Sequence, residues 1–124
     1  KCRCDKINGD TVVDLKTTGE GGASPEMFTK TITNLNYHLQ AAHYLQGTNA
    51  TNFIFVVIEK VFPYNIGVYK LENEFLDVGY ELQEQALFKV AEAQTSGKWL
   101  GYTDTESDGI ITLDKPYWLS NYND

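Results

Sequence analysis

The chain has 124 residues, enough for one domain with a modest hydrophobic core. Its formal net charge of -7 argues against tight nonspecific binding to DNA by the chain as a whole. The acidic excess lies entirely in residues 61–124, because residues 1–60 hold six acidic and six basic side chains. No apolar run approaches the roughly 18 residues of a membrane span, and no signal-peptide pattern is present, so we expect a cytoplasmic protein without a membrane partner.

The chain opens with a predicted β-hairpin. Asn8-Gly9 separates two strand-like runs, residues 1–7 and 11–16, and this dipeptide is the strongest short-range signal for a hairpin. The loop length decides the register. A two-residue loop places Asp5 diagonally from Asp14 on one face, a four-residue loop places them directly opposite, and a three-residue loop sends them to opposite faces. Asp5 and Asp14 can therefore belong to one site only if the loop has an even number of residues.

The two faces of this hairpin differ in chemistry. A strand holds alternate residues on one face, so Asp14 and Lys16 point the same way, and Asp5 joins them when the loop is even. Small apolar side chains fall on the opposite face: Cys2, Cys4, Val13 and Leu15. We expect the apolar face to pack against a helix and the charged face to carry the chemistry.

The rest of the sequence alternates helices and strands. The predicted elements are a helix that begins at Ser24 and ends near Thr33, a helix from about residue 35 through Leu45, a strand over 53–59, a strand over 66–71, a helix over 73–95, a turn at Ser107-Asp108-Gly109 and a short strand over 110–113. Apolar residues recur at helical spacing in the last helix: Phe75, Val78, Leu82, Ala86, Val90 and Ala93. This order predicts an α/β fold in which helices flank a mixed central β-sheet.

Acid, spacer and lysine at the end of a short strand suit the hydrolysis of a phosphodiester. Carboxylates such as Asp5 and Asp14 can hold one or two Mg²⁺ ions, which lower the pKa of a bound water and neutralise charge on the phosphate. Lys16 can hold that water or help to deprotonate it. Tyr37 and Gln40 are three residues apart and share one face of the following helix. The pattern of Asp14 and Lys16 alone is weak, so the hypothesis depends on the whole set.

The sequence is similar to a known nuclease superfamily. The segments that carry the similarity are Cys4-Asp5-Lys6-Ile7, Val12-Val13-Asp14-Leu15-Lys16-Thr17-Thr18, Tyr37-His38-Leu39-Gln40-Ala41-Ala42-His43-Tyr44 and Trp99-Leu100-Gly101-Tyr102. They resemble the RecB-type branch of the PD-(D/E)XK superfamily, and within it the RecE-type phage and prophage exonucleases (exonuclease VIII). The resemblance covers nearly the whole chain and implies a restriction-endonuclease-like core.

The resemblance implies a role for each residue of the predicted site. Asp5 matches the first metal-binding acid and Asp14 the second, while Lys16 matches the lysine of the motif. Leu15 would offer its backbone carbonyl to the metal, which is expected to be Mg²⁺ with Mn²⁺ able to substitute. Tyr37 and Gln40 match the motif on the following helix, where they support the lysine or contact the DNA backbone.

One family feature does not match this sequence. Members of the branch carry a His or Glu on an upstream helix that completes the metal site, and nothing precedes Lys1 here. His38 and His43 follow the site too late in the chain to take that role. We therefore expect residues 1–124 to form a single nuclease domain that lacks its N-terminal segment. The alternative is an incomplete and inactive copy.

The expected function is that of a Mg²⁺-dependent exodeoxyribonuclease. The resemblance implies 5′-3′ degradation of one strand from double-stranded DNA ends in phage-type recombination, transfer of the exposed strand to a single-strand annealing protein, and a homo-oligomer. Two alternatives stay open. One is another RecB-type nuclease, either restriction-type or Cas4-like, although the Cas4 cluster needs four cysteines and this chain has two. The other is a catalytically inactive module that binds DNA or protein.

Overall fold

The computed structural model describes residues 1–102, 104 and 108–121. Its elements are β1 (Lys6–Asn8), β2 (Thr11–Thr18), α1 (Pro25–Asn34), α2 (Tyr37–Thr48), β3 (Asn52–Glu59), β4 (Ile66–Lys70), α3 (Asn73–Ser96) and a 3-10 helix (Tyr117–Asn121). The chain divides into two compact units, residues 1–88 and 89–124. Among the described residues, no helix is both long and apolar enough to cross a membrane.

The first unit is built on one four-stranded sheet. The strand order is β1-β2-β3-β4. Strand β2 pairs antiparallel with β1 and parallel with β3, and β3 pairs antiparallel with β4. Helices α1 and α2 form the crossover that a parallel pair of strands requires. The predicted α/β fold with a mixed central sheet is confirmed.

The core lies between one face of the sheet and the crossover helices. The buried side chains of β2 and β3 come from alternate positions and are Val12, Asp14, Phe53, Phe55, Val57 and Glu59. Phe28 of α1 packs over them, with its ring centroid 5.5 Å from that of Phe55 in an edge-on arrangement and 5.4 Å from that of Tyr69 in a stacked one. We call this side of the sheet the covered face.

The hairpin turns one residue later than the sequence pattern indicated. Asn8 pairs with Thr11, so the two loop residues are Gly9 and Asp10. Gly9 has a φ of +59°, the left-handed region that favours glycine. Extended by one residue beyond the last pair, Lys6 with Val13, this register would set Asp5 opposite Asp14, as the four-residue alternative required. The condition of an even loop is met, although residues 1–5 are not part of β1.

The prediction of which hairpin face forms the core is wrong. The face of Val12 and Asp14 is buried, whereas Leu15 is exposed and Val13 only partly buried. Cys2 and Cys4 also lie on the covered side: Cys4 packs against the core, and the Cys2 sulfur lies 2.9 Å from where a Cβ would stand on Gly47 of α2. These cysteines precede β1, so the alternation of a strand does not govern them.

The helices follow the predicted boundaries closely. Ser24 caps α1, where its side chain accepts a hydrogen bond from Met27 N. Asn36 precedes α2 in the left-handed conformation, and Asn49 ends it in the same way. The first half of α3 approaches α2 closely: Gly79 lies against the carbonyl of His38, where a Cβ would overlap.

The second unit has less regular structure than the sequence indicated. Val90, a member of the predicted apolar stripe in the second half of α3, is 44% exposed. Residues 110–113, predicted as a strand, have no assigned secondary structure. Asp108 is in a turn, whereas Ser107 of the same predicted turn lies outside the described residues.

Candidate functional site

The middle of β2 places two charged side chains on the covered face. Asp14 is 3% exposed, and Lys16, two residues further, is partly buried beside it. Lys16 Nζ lies 2.8 Å from Asp14 Oδ2. A buried carboxylate is stable only when other groups compensate its charge. The strand thus brings together the acid and the lysine that the sequence predicted.

Helix α2 supplies the third member of this cluster. Gln40 Nε2 donates a hydrogen bond to Asp14 Oδ1 at 3.1 Å, and Lys16 Nζ donates one to Gln40 Oε1 at 2.8 Å. Asp14, Lys16 and Gln40 therefore form a closed ring of polar contacts. An amide is suited to this position because it carries a donor and an acceptor on one planar group.

Tyr37 forms the wall of the site beside the lysine. Its ring centroid lies 4.2 Å from Lys16 Nζ, within the range of a cation-π contact. The same ring stacks on Phe55 with centroids 6.1 Å apart. Tyr37 therefore joins the hydrophobic core to the charged cluster and restricts where the lysine can point.

Asp5 reaches the site from the segment before β1. Its Oδ2 accepts a hydrogen bond of 2.8 Å from Leu15 N. The ladder between β1 and β2 ends at Lys6 and Val13, two residues short of Leu15. In a strand the N–H and C=O of one residue point to the same side, so the Leu15 carbonyl also points toward the edge where Asp5 lies.

The donor set fits a hard divalent cation. Asp14 Oδ2 is buried and accepts no hydrogen bond with acceptable geometry, although Lys16 Nζ is close enough for an ion pair. Asp5 is exposed and adds a second carboxylate. Mg²⁺ prefers oxygen ligands and is commonly held by one or two carboxylates while it keeps several waters. The described residues contain no group of three or more His, Cys, Asp and Glu that could hold a metal, so among them the candidate ligands are Asp5, Asp14 and the Leu15 carbonyl.

Both histidines contact other residues of the fold. His38 is buried, with Nδ1 3.3 Å from the Ile32 carbonyl oxygen. His43 Nδ1 lies 3.3 Å from Gln83 Nε2 on α3. That neither histidine takes the place of the upstream ligand stays a prediction.

Cys4 is a neighbour of the site that sequence reasoning placed on the wrong face. Partial burial raises the pKa of its thiol, and the nearby Cys2, Asp14 and Asp5 raise it further. Cys4 therefore remains a neutral thiol at neutral pH, packed as a small apolar side chain. No spacing rule could have located it, since it lies before the first strand.

Comparison with known proteins places the chain in a family. The sequence profile of the PDDEXK-like domain of unknown function (DUF3799) matches residues 1–105. The chain belongs to this family. No curated protein matches the sequence. The expected PD-(D/E)XK superfamily is thus confirmed, while the RecB-type branch and the RecE-type subgroup stay predictions.

A solved structure shares the fold of this PDDEXK-like domain. It is that of a provisionally assigned exonuclease from Eubacterium rectale, with a TM-score of 0.60 and 16% sequence identity. The match covers 91% of this chain and 47% of the other. The chain therefore spans about half the length of that protein. At this identity the likeness establishes the fold.

Proposed function

We propose that this PDDEXK-like chain carries the catalytic centre of a divalent-cation-dependent deoxyribonuclease. The observation that supports it best is the cluster in which Lys16 Nζ lies 2.8 Å from Asp14 Oδ2 and Gln40 bonds to both residues, while Asp5 accepts a hydrogen bond from the N–H of the intervening Leu15. One short segment of β2 thus has two carboxylates and an ammonium beside it. The family assignment supports the same conclusion.

Each residue has a defined task in this proposal. A bound Mg²⁺, or Mn²⁺ in its place, would supply a water of lowered pKa and neutralise charge on the phosphate. Asp5, Asp14 and the Leu15 carbonyl would hold it. Lys16 is oriented by Gln40 and by the Tyr37 ring, so its ammonium donates a hydrogen bond in a fixed direction toward the attacking water or a phosphate oxygen.

The finer functional expectations are part of the proposal. We propose an exonuclease that acts on double-stranded DNA ends with 5′-3′ polarity, as in RecE-type recombination enzymes, together with a single-strand annealing protein and in a cytoplasmic homo-oligomer. The similarity of fold to a provisionally assigned exonuclease supports the choice of an exonuclease over a restriction-type enzyme.

The test compares linear and circular duplex DNA in the presence of Mg²⁺ or EDTA. We expect the protein to degrade linear DNA only with Mg²⁺ and to leave covalently closed circles intact. Lys16→Ala should lower the rate by about 10²- to 10⁴-fold, because it removes the only ammonium in contact with Asp14 among the described residues. Thr17→Ala, a change of an exposed neighbour, is the matched control and should retain the full rate.

The outcomes separate the alternatives. Linear DNA that survives Mg²⁺ at high protein concentration would contradict the nuclease proposal. Retained binding to DNA in that case would identify the inactive, binding-only module. Equal cleavage of circles would reject exonuclease action and favour a restriction-type enzyme.

A further inference from the structure

The loop between β3 and β4 exposes a pair of aromatic rings. Phe62 is 81% exposed and Tyr64 is 58% exposed. The two rings contact each other edge-on, with centroids 6.2 Å apart. We call residues 61–64 the aromatic tip. Exposed apolar clusters of this kind commonly mark a binding surface.

A hydrogen-bonded base holds the aromatic tip in place. Glu59 N donates to the Asn65 carbonyl at 2.9 Å, and Asn65 Nδ2 donates to Glu59 Oε2 at 3.2 Å. The other oxygen of this buried carboxylate accepts from Ala23 N at 3.3 Å. Tyr64 itself has a φ of +62°, a costly conformation for a residue other than glycine. The tip is therefore a preformed structure that keeps its rings in solvent.

The aromatic tip lies at the same end of the sheet as the candidate site. Lys60 N donates a hydrogen bond of 3.0 Å to the carbonyl of Thr18. Thr18 follows Lys16 by two residues on β2, a rise of about 7 Å along a strand. A nucleic acid with one phosphate at Lys16 would place neighbouring nucleotides within reach of the loop.

The charge around the aromatic tip favours a polyanion. The loop from Lys60 to Asn65 contains one basic side chain, Lys60, and no acidic residue, in a chain with a net charge of -7. Aromatic rings beside a basic backbone-tracking surface are how proteins bind single-stranded nucleic acid, because every base offers a face for stacking.

We propose that Phe62 and Tyr64 stack on an unpaired base of the DNA strand whose phosphate occupies the site at Asp14 and Lys16. This inference rests on the proposed function for the identity of its ligand. In this inference the aromatic tip binds frayed or single-stranded DNA ends, whereas the catalytic residues bind the phosphate.

The test is binding of an oligonucleotide that carries 2-aminopurine in a single-stranded overhang, measured in EDTA so that no hydrolysis occurs. We expect the native protein to quench the fluorescence of the probe by stacking. Phe62→Leu keeps an apolar side chain but removes the ring, and should weaken binding by about 5- to 150-fold. Tyr64→Asn, which tolerates a positive φ, should act in the same direction. Tyr80→Leu changes a partly exposed aromatic residue of α3 and should bind like the native protein.

The same proteins are then assayed for hydrolysis with Mg²⁺. Ring-dependent quenching without any hydrolysis would sustain the aromatic tip and reject the proposed nuclease. Hydrolysis with equal affinities for the native protein and both tip variants would reject the tip. Unchanged DNA binding combined with an altered sedimentation coefficient in Phe62→Leu would identify a protein contact and also overturn the inference. Thermal unfolding verifies that each variant is folded.

Discussion

The two faces of the sheet carry similar apolar side chains but differ in burial. On the covered face, Phe53, Phe55 and Val57 are at most 2% exposed. On the opposite face, Leu15 is 52% exposed, and Ile66 and Val68 are each 63% exposed. Strand alternation predicts two faces but does not choose between them when both are apolar. Which face is buried depends on the side of the sheet where the crossover helices pack.

The covered face also contains the charged residues. Asp14 and Lys16 pair with the apolar Phe55 and Val57 of β3, so their charges need partners from outside the sheet. Gln40 and Tyr37 of α2 provide them. The comparison shows that one face of a sheet can carry both a hydrophobic core and a polar site. The helix packed on that face must then supply a side-chain amide that bonds to the charged pair.

The largest expected difference between the faces concerns stability. Phe55→Ala removes a fully buried ring and should lower the free energy of unfolding by about 3–5 kcal/mol. Val56→Ala changes the adjacent residue, which faces the other way and is only partly buried, and should cost about 1 kcal/mol. Urea unfolding of both variants measures the difference. Similar losses would show that the open face is buried in solution.

A smaller effect is expected from the amide that serves the charged pair. Gln40→Ala should lower the rate of DNA hydrolysis and the affinity for Mg²⁺ by about 10- to 100-fold, because residues that orient metal ligands typically have effects of this size. Gln83→Ala is the matched control. Gln83 is a buried glutamine that also bonds to a side chain of α2, but its partner is Gln46 and not the charged pair.

The control variant should lose stability and keep its hydrolysis rate and Mg²⁺ affinity. Equal effects of the two glutamine variants on the rate would mean that Gln40 acts only through folding. Calorimetric titration with Mg²⁺ separates these cases without reference to catalysis.

The smallest expected effect lies at the exposed end of the sheet, at Asp10. Hydrogen bonds from Thr51, and next from Thr11, lower the pKa of Asp10 below its usual 3.8. A depressed pKa in the folded state contributes stability above the unfolded pKa, and this contribution is lost as the pH falls through the folded value. Asp10→Asn should therefore be less stable than the native protein at pH 7.

The stability difference caused by Asp10→Asn should shrink when the unfolding is repeated in acid, below the pH at which the native carboxylate becomes protonated. A difference that stays constant from neutral to acidic pH would show that the carboxylate charge contributes nothing. Denaturant unfolding at both pH values is the measurement.

The sequence by itself determined the elements and the set of polar residues. Ser24 followed by Pro25 marked the start of α1, and the run from Phe53 to Glu59 marked a central strand, because caps and hydrophobic runs are local signals. Alternation put Asp14 and Lys16 on one face, and a three-residue step put Tyr37 and Gln40 on one side of a helix. These relations need no knowledge of distant residues.

Only the tertiary structure decided which face became the core and how the site closed. Asn8-Gly9 predicted a hairpin, but the pairing of Asn8 with Thr11 set its register, and the segment before β1 brings Asp5 to the N–H of Leu15. Gln40 meets Lys16 across 24 residues of sequence, and no local pattern encodes such a contact. Its existence depends on the packing of α2 over β2 and β3, which is driven by burial of apolar side chains such as Leu45 of α2 and Phe55 of β3 rather than by the charges that the packing brings together.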